Sequence, residues 1–157
     1  MQFERTNDFE LVATILNHPD IYPHITDDNS PAVLSPTLNE LTWYVAVRGD
    51  RDELLGLWLL VPQNSICWEV HTCLPKAAHY RDIGRQALEW LWANAPKVQR
   101  VVTAVPENNR AARIFAKRAG LIEYGCNPAS FLKDGKLHDQ ILLGISRPGQ
   151  MKEFLCQ

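Results

Sequence analysis

The order of patterns along the chain points to an α+β domain, a mixed sheet with helices on its faces. Three observations carry that expectation. Residues 41–47, 54–61 and 66–74 are successive apolar, β-branched or aromatic runs. Between them lie the short polar turns Gly49-Asp50-Arg51-Asp52 and Pro62-Gln63-Asn64-Ser65, and short turns between consecutive strands make an antiparallel meander. After residue 83 the apolar spacing turns helical, then strand-like, then helical again. Finally, 157 residues at 46% hydrophobic and 22% charged are enough for one core of substantial size.

Taken in order, Phe3-Glu4-Arg5 reads as a short opening strand. Asn7 or Asp8 can cap a helix that carries Phe9, Val12, Ala13, Ile15 and Leu16 at helical spacing. Residues 18–36 hold Pro19, Pro23, Pro31 and Pro36, so an irregular loop with one helical turn is expected. Such a segment either lines a substrate site or is a plain surface connection. After the meander comes a helix over about 84–95, with Ala87, Leu88, Leu91 and Ala95 as its buried stripe and Pro96 as its stop. Residues 98–105 form a strand and residues 108–119 a second helix, closed by Gly120 as a left-handed cap. A strand over 121–124 follows, and then a hairpin joining 131–133 to 137–146 around Asp134-Gly135. Residues 1–147 read as one domain and residues 148–157 as a loosely held tail, whose Phe154-Leu155 pair could dock.

Composition narrows the function classes. A formal charge of −2 gives no whole-chain electrostatic case for nucleic acid or an anionic membrane. No apolar run approaches the roughly 20 residues of a membrane span, and the N-terminus lacks the basic-then-apolar form of a signal peptide. Cys67, Cys73, Cys126 and Cys156 lack Cys-x-x-Cys spacing, so no metal site is expected and the thiols read as reduced. Together these features place the protein in the cytoplasm.

The chemistry-bearing stretch follows the third strand. That strand stops at Pro75, and a short polar, basic loop with Arg81 and Arg85 leads through Asp82, Ile83 and Gly84 into a helix. A strand feeding a glycine-bearing turn that opens a helix presents free backbone N–H groups to an anion, so a phosphate-bearing ligand is expected here. Upstream, Glu69, His71 and Cys73 alternate along the strand and share one face. A carboxylate and an imidazole so placed are base candidates, His71 having the better pKa match for neutral pH. A solvent-facing or satisfied polar role is the competing reading for each.

Three stretches together resemble the GNAT superfamily of acyl-CoA-dependent N-acetyltransferases. Leu54-Leu55-Gly56-Leu57-Trp58 looks like the family's second-to-third-strand passage, and the loop-helix of residues 79–91 looks like its pyrophosphate-binding motif. Residues 109–121, with Asn109, Ala112, Lys117 and Gly120 in place, look like the helix written Asn-x-x-Ala…Lys-x-Gly-Phe. The chain looks like a divergent member, near the branch that acetylates protein N-termini and polyamines and near phage-encoded proteins of this type. The resemblance implies a central, mostly antiparallel sheet with a splayed strand pair, and helices on both faces. It also implies acetyl transfer from acetyl-CoA to a primary amine, on a small molecule or a protein, by direct attack in a ternary complex.

The same resemblance assigns residues. Glu69 or His71 would be the general base. The acetyl carbonyl would meet backbone N–H groups at the splayed end of the third strand, near Cys73 and Leu74. His79, Arg81, Asp82, Ile83, Gly84 and Arg85 would surround the pyrophosphate, and Asn109 would bond the pantetheine arm unless it only caps its helix. Arg113, with Lys117, Arg85 and Lys76, would meet phosphates, or the Arg113–Lys117 pair would be a solvated helix face. The departures are His79 and Asp82, where the family loop reads Gln/Arg-x-x-Gly-x-Gly/Ala, and Ala116, where it places an acidic Tyr; Tyr80 and Tyr124 are the available substitutes. These losses keep a second expectation open: a catalytically degenerate fold serving as a structural or assembly protein. Five tryptophans, Trp43, Trp58, Trp68, Trp90 and Trp92, pack the core or line an acceptor groove or partner surface, where a homodimer or another protein would dock, as it would on the C-terminal surface.

Overall fold

A computed structural model of the chain describes residues 1–78 and 82–149. His79, Tyr80 and Arg81, and the tail from residue 150, lie outside the described residues.

The strands are β1 (Gln2–Thr6), β2 (Trp43–Arg48), β3 (Leu54–Pro62), β4 (Cys67–Cys73), β5 (Arg100–Pro106), β6 (Ile122–Lys133) and β7 (Lys136–Ser146). The helices are α1 (Phe9–Leu16), the single turn α2 (Tyr22–Ile25), α3 (Ile83–Asn94) and α4 (Arg110–Arg118). The strands form one sheet in the order β1-β2-β3-β4-β5-β7-β6. Neighbours are antiparallel except β4 and β5, which are parallel. This is the mixed, mostly antiparallel sheet with helices on both faces that the sequence predicts.

Alternation along the strands sorts the core into two layers. Val45, Trp58, Leu60, Val70 and Val101 pack against the Leu88 and Leu91 stripe of α3 and against Ala116 and Ala119 of α4. Tyr44, Leu57 and Cys73, one residue out of phase, pack against Val12, Ile15 and Leu16 of α1 on the other face. The helix ends have local causes. Asp8, one of the two expected caps, accepts from Leu11 N–H at 3.0 Å, and Asn109 accepts from Ala112 N–H at 3.1 Å. Gly120 adopts φ +101° directly after α4, as the expected left-handed stop.

β6 departs from the expectation. The strand at 121–124 and the first hairpin arm form one strand, interrupted by register shifts between Glu123 and Gly125 and between Asn127 and Phe131. Pro128 hides this continuity in the sequence, yet β6 is an edge strand, whose outer side needs no ladder partner. Ala129 takes φ +48° in the irregular stretch, its N–H held by Asp139 Oδ1 at 2.8 Å. The Asp134-Gly135 turn forms as expected, with φ 52° and 70°, positive at both central residues as in a type I′ hairpin turn.

One feature of the sheet makes the site. β4 and β5 pair only at Cys67–Arg100, Trp68–Val101 and Glu69–Val102. Beyond that, β4 stays with β3 as far as Cys73 and β5 stays with β7 as far as Pro106. The two central strands therefore part, giving the splayed pair expected from the resemblance.

Candidate active site

The parting of β4 and β5 opens a cavity of about 370 Å³ that runs through the sheet. On the α3/α4 face it is lined by Leu88, Asn109, Ala112, Phe115 and Ala116. Val70, Thr72 and Thr103 border the gap itself. On the opposite face the lining passes to Glu69 and His71, to Asp20, Ile21, His24 and Ile25 from α2 and the residues before it, and to Phe131 and Gln140 of the β6–β7 hairpin.

Glu69 and His71 are brought together on this second face. His71 Nε2 lies 3.4 Å from Glu69 Oε1, and Gln63 Nε2 donates to Glu69 Oε2 at 3.2 Å. The His71 side chain keeps 40% of its surface, but it lines the concave cavity wall. Desolvation there lowers its pKa below 6.5, and the Glu69 charge opposes the shift without reversing it. His71 is thus a neutral imidazole at neutral pH, able to take a proton.

Backbone direction identifies which N–H groups face the gap. Gln99 and Arg100 both donate to Ile66 O, at 2.8 and 3.0 Å, whereas Gln63 N–H donates to Cys67 O on the β3 side. Even-numbered residues of β4 therefore aim their polar backbone groups at β5 and odd-numbered ones at β3. The Glu69–Val102 pairing takes up these groups as far as Val70. Thr72 is then the first residue whose N–H is directed into the gap beyond the last β5 pair. Leu74 shares that parity and lines the cavity. Cys73 does not: it pairs with Leu57 of β3, its side chain is 1% exposed in the α1 layer, and burial pushes its thiol up to about 12. Gly56 permits this packing, since a Cβ there would lie 2.5 Å from Cys73 O and 2.6 Å from Leu74 Cδ2.

At the α3 N-terminus, Asp82 occupies the cap position without a side-chain capping bond. Its carboxylate instead accepts from Arg85 Nε at 2.7 Å, and Arg85 also reaches Glu89 at 2.6 Å. The Asp82 side chain thus leaves the first-turn N–H groups uncapped, and its charge is matched by a neighbouring cation. Ile83 is fully buried against Val47, Leu74 and Ala78. Gly84 has a packing cause: a Cβ there would lie 2.7 Å from Ala119 Cβ and 3.2 Å from the Phe115 ring. Only glycine lets α3 approach α4 this closely. His79 and Arg81 fall outside the described residues.

Asn109 caps α4 and also lines the cavity. Arg113 points elsewhere. Its Nη2 and Lys117 Nζ each lie 2.9 Å from Glu123 Oε1, and Lys117 and then Arg113 hold the Glu123 carboxyl below its usual range. Lys76, in contrast, lines the cavity. Ala116, with Phe115 beside it, stands at the position where the resemblance places an acidic Tyr, and among the described residues no tyrosine lines the cavity. Tyr124 lies under the Arg100 guanidinium at 5.0 Å. Of the tryptophans, Trp58 lines the cavity, Trp43 and Trp68 pack edge-to-face at 4.8 Å, Trp92 stacks with Arg147 at 5.1 Å and Trp90 lies 6.4 Å from Phe3.

Sequence reasoning missed Asp20, His24, Thr72, Thr103 and Gln140 as individuals. Thr72 was within reach through strand parity; the others depend on how the loop and hairpin fold over the gap. Among the described residues, no group of three metal-ligating side chains could hold an ion, and no helix is long and apolar enough to cross a membrane.

Solved N-acetyltransferases share this architecture. The spermidine N-acetyltransferase of Vibrio cholerae, solved with CoA and spermine, superposes with a TM-score of 0.75 over 92% of this chain and 94% of its own, at 14% identity. A provisionally named phosphinothricin N-acetyltransferase superposes with a TM-score of 0.68 over 92% of this chain and 97% of its own, at 18% identity. No protein-family model matches the sequence, and no curated protein matches it. The likeness is one of fold.

Proposed function

We propose that the protein is an acetyl-CoA-dependent N-acetyltransferase that acetylates a primary amine by direct attack in a ternary complex. The observation that carries this reading is the cavity through the sheet at the β4–β5 parting. It lets a donor on the α3/α4 face and an acceptor on the α2 face meet at one point. Fold neighbours that act on amines, one of them solved with CoA, support the same reading. A degenerate, purely structural protein would be expected to have a blocked cleft, and the open cavity weighs against it.

The residues fit an acyl-pantetheine. The gap offers the Thr72 N–H, Asn109 borders the cavity, and the Asp82 side chain does not cap the α3 N-terminus. Acetyl-CoA, when bound, supplies the acetyl thioester. Thr72 N–H would donate to the acyl oxygen, where backbone donors aimed at developing negative charge are most effective. Glu69 and the neutral His71 would hold the proton given up by the attacking amine. Among the described residues no phenol lines the cavity to protonate the leaving thiolate, and a thiol pKa near 8.5 makes that acid dispensable. The apolar α3/α4 wall excludes water from the donor. Arg113 and Lys117, engaged by Glu123, would screen phosphates at most from a distance, whereas Lys76 and the α3 N-terminus are better placed.

The test is mass-spectrometric detection of acetylated product from acetyl-CoA and a panel of primary amines. Product that depends on both the enzyme and acetyl-CoA is expected. No product with any amine, together with no calorimetric binding of acetyl-CoA at millimolar concentration, would overturn the reading.

A further inference from the structure

The loop after α2 and the tip of the β6–β7 hairpin are about a hundred residues apart in sequence, yet they are joined by a compact set of hydrogen bonds. Asp28 Oδ1 accepts from Asp134 N–H at 2.9 Å and Asp28 Oδ2 from Gly135 N–H at 2.7 Å. Asp28 N–H donates to Leu132 O at 3.1 Å, and Lys133 Nζ donates to Thr26 O at 2.9 Å. Among the described residues these are the hydrogen bonds that tie this loop to the hairpin.

Both partners are pre-shaped for the contact. In a type I′ turn the two central N–H groups point outward together, forming a small concave donor pair that suits one carboxylate. The loop is held by its own bonds. Asp27 Oδ1 accepts from Asn29 N–H and from Ser30 Oγ. Thr26, 2% exposed, donates its hydroxyl to Tyr22 O at 2.7 Å. Those internal bonds carry the position of Asp28 directly back into α2.

The elements so joined are the two outer walls of the acceptor end of the cavity. His24 and Ile25 come from α2, while Phe131 and Gln140 come from the hairpin. We propose that Asp28 is a positioning residue for the amine acceptor. By clamping the hairpin turn to the loop, it sets the distance between these walls and so the placement of the amine against Glu69 and His71. The α3/α4 end of the cavity, where the donor would lie, shares no part of the clamp.

This inference rests on the acetyltransferase reading for its kinetic arm and is independent of it for its structural arm. The variants are Asp28→Ala and Asp28→Asn, the latter keeping a single side-chain oxygen to accept. With the best amine of the panel, Asp28→Ala is expected to raise the acceptor KM about 5- to 20-fold with kcat and acetyl-CoA affinity within about twofold; Asp28→Asn should fall between. Amide exchange at Asp134 and Gly135 is expected to accelerate in Asp28→Ala, and the His24 imidazole resonances to shift. Unchanged exchange and unchanged His24 resonances would overturn the clamp whether or not the protein transfers acetyl groups. Faster exchange with an unchanged acceptor KM would reduce Asp28 to a structural contact and overturn the positioning role. Absence of acetyl transfer in the unsubstituted protein would instead sink the acetyltransferase reading, and the positioning role with it.

Discussion

Replacing Gly84 by alanine separates two explanations of that glycine. The added Cβ would sit 2.7 Å from Ala119 Cβ, against the roughly 3.5–4.0 Å at which carbon atoms pack well. The obstacle is a Cβ on the facing helix rather than the end of a flexible side chain, so α3 and α4 must separate by about 1 Å. Overpacking of this kind costs about 1–3 kcal/mol, partly offset by the gain of about 1 kcal/mol that alanine brings over glycine in a helix. The net loss is up to about 2 kcal/mol, or a fall of up to roughly 8 °C in Tm for a chain of this size. If Gly84 served only to admit a phosphate, alanine would raise the stability through its helix propensity. Thermal unfolding followed by circular dichroism measures the difference. The double variant G84A/A119G removes the clash from the other side and is expected to recover most of the loss. A Tm above that of the parent for G84A, or no gain in Tm from G84A to the double variant, would refute the packing argument.

Three further outcomes follow from the site. Because desolvation lowers the His71 pKa below 6.5, its neutral form persists as pH falls through 6.5; the acidic limb of kcat/KM should lie below that value and disappear in His71→Gln, and a limb at or above 6.5 would count against the assignment. Loss of the group that holds the amine proton should cost about 10²- to 10⁴-fold in kcat, so comparing Glu69→Gln with His71→Gln shows which of the pair holds it. Asn109→Ala should lose about 1 kcal/mol of cap energy together with acetyl-CoA affinity, whereas Asn109→Asp should keep the cap and lose only affinity; affinity equal to the parent's in both variants, by calorimetry, would leave Asn109 as a cap alone.

Much of the fold was legible because its signals are local. The meander announces itself through short polar turns, α1 and α4 through capping residues, and the β6–β7 turn through Asp134-Gly135. The continuity of β6 was not legible, because Pro128 is tolerated only by virtue of its edge position, a fact of sheet order. At the site, Glu69 and His71 were readable from strand alternation, and Asn109 from motif spacing. Which N–H groups near Cys73 face the gap is not legible from alternation alone, because parity needs a neighbouring strand as reference: the bonds to Ile66 O give Thr72 the parity of the gap, and Cys73 pairs with β3. Arg113 could not be placed from sequence, since its partner Glu123 lies across a helix–strand turn and competes for the same cation. Asp20, His24 and Gln140 converge only through tertiary packing.

The most direct test of the central claim, that the parted β4–β5 strands form the acyl-donor site, is amide chemical-shift mapping of the protein titrated with acetyl-CoA. The largest shifts are expected at Thr72, Leu74, Thr103, Ala104 and Asn109 and at the α3 N-terminus, Ile83 and Gly84. No shifts at millimolar acetyl-CoA, or shifts confined to residues away from the gap, would contradict it.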